Sequence, residues 1–192
     1  LVKLHPDVES GTLTEAVFAI DLGAIATKDP NVPVVNRDPE AFFRATYLTA
    51  DRRKLLDEVL ASLSGKGGYN RVLKLRTPFG GGKSHTLAAL LHAARSRNAL
   101  NVIPEGRSFA DPGEVSVAVF DGEKFDARDG KTIDGGRQIQ TMWGWLAWQI
   151  NGEKAFALVA GHDRDRVAPG GDVIKQLLTV GVDGRPVLLL LD

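Results

Sequence analysis

The chain has 192 residues, 43% of them hydrophobic, which is about one domain with enough apolar content to enclose a core. Its 24 lysines and arginines balance 24 aspartates and glutamates, so bulk charge points to neither nucleic acid nor membrane as a partner. Cysteine is absent, which excludes a disulfide framework and cysteine-ligated metal; no apolar run approaches a membrane span and the opening residues do not read as a signal peptide, so the expected compartment is the cytoplasm.

The pattern is weak as far as Pro33. Thr14 can cap a helix whose apolar stripe is Val17, Ile20, Leu22 and Ile25, and Lys28 to Pro33 reads as loop. Asp38-Pro39-Glu40 is a stronger start signal, with Asp as N-cap, proline at the first helical position and an acid in the first turn; a short helix carrying Phe42 and Phe43 should follow. Thr49 can cap the next helix, where Leu55, Leu56, Val59, Leu60 and Leu63 share one face, and the glycine-rich stretch from Gly65 to Asn70 stops it. Phe42, Phe43 and Tyr47 are candidates for enclosing a nucleotide base, but core packing is the favoured reading of these aromatics.

The middle of the chain carries the chemistry. Arg71 to Arg76 alternates apolar and basic residues, as a short strand does, and leucine recurs at helical spacing after His85. Between them stands Thr77-Pro78-Phe79-Gly80-Gly81-Gly82-Lys83-Ser84, the strand, glycine-rich loop, Lys-Ser and helix context of a phosphate-binding loop, or Walker A motif. Glycines at 80, 81 and 82 can take positive φ and carry no Cβ, so consecutive backbone N–H groups can close on an oxyanion. A helix starting near Lys83 aims its unpaired N–H groups and positive dipole end at the same point. Lys83 should then reach the β- and γ-phosphates and Ser84 should bind Mg²⁺. The loop departs from the usual pattern in its first position, where Thr77 replaces glycine. Leu87, Leu90, Leu91 and Ala94 form the expected buried face of that helix, which should end near Ser96. His85 and His92, seven residues apart, read as ordinary helix residues rather than metal ligands, with His85 close enough to touch the phosphates.

Val115 to Phe120 is a β-branched buried strand ending in the turn Asp121-Gly122, and Glu123 to Gly136 is polar loop. Ile139, Met142, Trp143, Leu146 and Ile150 recur at helical spacing, with Asn151-Gly152 closing the helix; Trp145 and Trp148 fall off the stripe and could cover a neighbouring domain or subunit. A shorter helix spans Asp172 to Leu178. The run Val187 to Leu191 then has the continuous aliphatic character of a central parallel strand. Asp192 at its carboxyl end lies where ligands bind in open α/β sheets, and as a Walker B acid it would hold Mg²⁺ beside Ser84, usually through water.

Seven stretches carry a resemblance that runs through the whole chain: Leu4 to Val8, Asp38 to Phe43, Thr46 to Thr49, Pro78 to His85, Gly136 to Gly144, Ala168 to Gly170 and Leu188 to Asp192. They resemble the large bacterial and archaeal proteins predicted to be AAA+ superfamily ATPases containing a domain of unknown function. The resemblance implies an α/β fold, a P-loop NTPase of AAA+ type with a parallel sheet in a three-layer α/β/α arrangement. On that reading residues 1–66 are a helical lead-in, and 67–192 are the front portion of the ATPase core, ending at the Walker B strand. It also implies Mg-dependent ATP hydrolysis in a larger protein, often encoded beside DNA methyltransferases and helicases in phage-defence islands, with self-oligomers, DNA or DNA-modifying proteins as partners. ATP rather than GTP rests on the resemblance alone. The expected nucleotide contacts are Pro78, Phe79, Gly80, Gly81, Gly82, Lys83, Ser84 and His85, with Lys83 and Asp192 catalytic and Ser84 and Asp192 on the metal. In such proteins a glutamate after that aspartate directs the attacking water, so the sequence reads as the front of a longer protein. Made alone, it should be poorly soluble and inactive. The alternative function is an ATP-gated switch or scaffold with little or no hydrolysis.

Overall fold

The computed structural model describes residues 19–66, 71–76, 82–133 and 135–192. The lead-in is helical. Helix α1 (Leu22–Ala26) is capped by Asp21, whose carboxylate accepts the Ala24 N–H at 2.9 Å; the expected cap at Thr14 and the first part of that stripe lie outside the described residues. A short turn, α2 (Val34–Arg37), interrupts what the sequence reads as loop and helix start. Helix α3 (Pro39–Ala45) begins as its sequence says, with Asp38 accepting the Ala41 N–H at 2.8 Å and proline at its first position. Phe42 and Phe43 are both buried, whereas Tyr47 is 83% exposed and belongs to no core. Helix α4 (Ala50–Leu63) follows, capped by Thr49 and buried along Leu56, Val59 and Leu60.

Helix α5 (Lys83–Arg95) starts at the lysine of the glycine-rich motif and buries nearly every position from Thr86 to Ala94. Two 3₁₀ turns, Arg97–Val102 and Gly106–Ser108, lead to β1 (Ser116–Phe120). Across the end of the expected polar loop a small antiparallel pair forms, β2 (Lys131–Thr132) with β3 (Gln138–Ile139). Ile139 therefore belongs to a strand, not to the helix its spacing suggested. Helix α6 (Met142–Phe156) starts one turn later behind Thr141, and its backbone leaves helical geometry at Asn151 and Gly152, the pair expected to close it, before one more turn. Helices α7 (Ala160–Asp165) and α8 (Gly171–Leu177) precede β4 (Val187–Leu191); α7 was not anticipated.

Strands β1 and β4 pair in parallel, Ser116 opposite Val187 and Phe120 opposite Leu191. Side chains alternate across this ribbon. Val117, Val119, Leu188 and Leu190 join a core with Leu87, Leu90 and Leu91 of α5 and with the lead-in residues Phe42, Phe43, Leu56 and Leu60. Ala118, Phe120 and Val187 join a second core with Leu146 and Ile150 of α6 and Leu177 of α8. Helices thus pack on both faces of a small parallel sheet, the layered α/β arrangement.

Two expectations about the sheet are corrected. Residues 71–76 form no strand: no described residue pairs with them, and Val72 and Leu73 are 75% and 42% exposed. Alternation fits a segment to a pleat, but only a neighbour's N–H and C=O groups make the pleat a strand. Nor is β4 central. It has β1 as its one neighbour among the described residues, and Leu189 and Leu191 are 40% and 58% exposed. The opposite margin, along β1, is partly occupied by a side chain. The Gln149 side chain accepts the Val119 N–H at 3.1 Å and donates to the Val119 carbonyl at 2.7 Å, imitating one residue of a neighbouring strand.

Candidate functional site

The glycine-rich segment Thr77, Pro78, Phe79, Gly80 and Gly81 lies outside the described residues. What is described begins at Gly82, which caps α5 with φ +70° and ψ 33°. That left-handed geometry is natural to glycine and strained for other residues. It turns the chain directly into Lys83, Ser84 and His85, all half-buried in the first helical turn. The first intrahelical bond of the helix runs from the Thr86 N–H to the Gly82 carbonyl at 3.0 Å, and the Thr86 hydroxyl donates to the same carbonyl at 2.8 Å.

The electrostatics of this helix end are lopsided. Helices α1, α3, α4 and α6 each have a side-chain oxygen accepting a first-turn N–H, whereas α5 has no side-chain cap and no acid in its first turn. The positive end of its dipole lies beside a further positive group. Lys83 is the first helical residue. The Arg52 guanidinium, reaching over from α4, lies so close to Gly82 that a Cβ there would collide with Nη2.

His85 is held from the lead-in side. Its Nε2 is hydrogen-bonded to the Thr46 hydroxyl at 3.0 Å, and its ring stacks on Phe42 with centroids 4.8 Å apart. His92 packs on the same phenyl ring at 4.8 Å and donates from Nε2 to the Asn36 carbonyl at 2.9 Å. Burial pushes both imidazoles below the usual histidine value, with Arg52 adding to the effect at His85; at His92 the bond to Asn36 opposes it. Phe42 is therefore a core residue that both histidines grip, and the pair joins α3 to α5.

Asp192 follows β4 directly. Its N–H donates to the Phe120 carbonyl at 2.9 Å and its own carbonyl accepts the Gly122 N–H at 3.1 Å, so the parallel ladder carries on to this residue and leaves the carboxylate exposed at the carboxyl end of the sheet. Helix α5 packs on both β1 and β4. Lys83, Ser84 and Asp192 thus come from a helix and a strand that touch through one core. Among the described residues there is no group of three or more histidine, aspartate or glutamate side chains able to hold a metal by themselves.

Residues 2–192 match the DUF499 N-terminal domain. The chain belongs to that family. No curated protein and no solved structure matches it. The DUF499 N-terminal domain has no helix, among the described residues, long and apolar enough to cross a membrane.

Sequence reasoning missed three side chains that shape this domain. Arg52 hides in the charged run Asp51 to Lys54 and is singled out only by its approach to Gly82. Gln149 carries no motif. Asp163, in the run His162 to Arg166, looks like a solvated charge but is buried; its carboxylate accepts the Gln140 and Thr141 N–H groups and the Thr141 hydroxyl, at 2.6 to 3.1 Å, and so anchors the start of α6. A separate cleft of about 200 Å³ lies along the β1 margin, lined by Asp21, Asp121, Lys124, Lys131, Trp145 and Gln149 among others, and includes none of the expected nucleotide residues.

Proposed function

We propose that this domain binds ATP with Mg²⁺ and is the front of an AAA+-like P-loop ATP hydrolase, working in the cytoplasm as part of a larger phage-defence protein with DNA or DNA-modifying partners, and able to self-associate. The observation that carries the reading is the start of α5: a left-handed glycine, a helix with no cap and no acid, and Lys-Ser in its first turn, packed on a parallel strand pair that ends in aspartate. An anion supplies what that helix end lacks. The oxygen donors of Ser84 and Asp192 suit a hard cation such as Mg²⁺, which when bound neutralises charge on the β- and γ-phosphates. Lys83 adds a fixed positive charge for the γ-phosphate, and Gly82, with no Cβ, leaves its backbone open to it.

The test uses the full-length protein. Lys83→Ala is expected to abolish ATP binding and turnover, and Asp192→Asn to keep nucleotide while losing Mg-dependent turnover, both read by equilibrium binding and phosphate release. Unchanged hydrolysis in Lys83→Ala overturns the assignment. Tight ATP binding by the wild type without turnover makes the domain an ATP-gated switch or scaffold instead.

A further inference from the structure

We draw no further inference here: the strongest candidate, the cleft of about 200 Å³ along the β1 margin, points to no ligand, because its side chains are turned to one another or to the fold, Lys124 to Asp21, Lys131 to the Trp145 ring and Gln149 to the Val119 backbone, and none of those that line it is both buried and unpartnered.

Discussion

Replacing Phe42 with alanine tests how the lead-in is fastened to α5. The ring is almost wholly buried and touches Phe43 edge-on at 5.4 Å, His85 at 4.8 Å and His92 at 4.8 Å. Removing a phenyl group from such a site loses its transfer free energy and leaves a cavity that rigid neighbours cannot close, about 3–5 kcal/mol in all. In a domain of this size each kcal/mol moves the melting midpoint by about 2–4 °C, so the expected fall is about 6–20 °C. Calorimetry of the transition that contains this domain gives the number. A second reading separates this contact from a generic core loss. Water admitted beside His85 and His92 relieves the desolvation that depresses them, so their values rise toward that of free histidine and the acid sensitivity of the midpoint shrinks. A loss under about 1 kcal/mol with unchanged pH dependence would refute the claim that this ring joins the two parts.

Three further outcomes follow from the contacts. Both histidines titrate lower in the folded state than in the unfolded chain, so the unfolded state takes up protons first; stability is full above about pH 6.5 and is lost as pH falls through the lowered folded values, a slope that His92→Gln should flatten in thermal scans. Gly144→Ala drives a methyl into the Asp163 carboxylate, within 2.7 Å of its Cγ and 2.8 Å of Ile139 Cγ2, and should cost about 1–3 kcal/mol in urea unfolding; a neutral result would mean that the buried carboxylate does not hold the start of α6. Gln149→Ala strips both partners from the buried Val119 backbone and should cost about 2–4 kcal/mol, whereas an effect below about 0.5 kcal/mol would show that the amide is ornamental.

Local chemistry was the legible part. Asp38 with Pro39, Thr49, and the lysine that opens α5 mark their helices because a cap needs nothing beyond its own first turn. The aliphatic runs at 116–120 and 187–191 announced strands by composition, and their parallel pairing fits the helices between them. Where the reading failed, the deciding partner was distant. Residues 71–76 have the alternation of a strand but no described neighbour to complete it. Ile139 continues a helical stripe by spacing, yet the cap at Thr141 and the turn after Gly130 place it in a hairpin. Asp163 sits 22 residues from the hydroxyl that it accepts, and Arg52 thirty residues from the glycine it approaches, so no window of sequence contains either pair.

The side-chain amide at position 149 gives the sheet a direction. On one bank of the ribbon a glutamine occupies the backbone of Val119, and on the other Leu189 and Leu191 are exposed. A strand added beside residues 187–191 would therefore meet no side chain already bonded in its place and would lie next to the aspartate at their end, away from the cleft at Trp145.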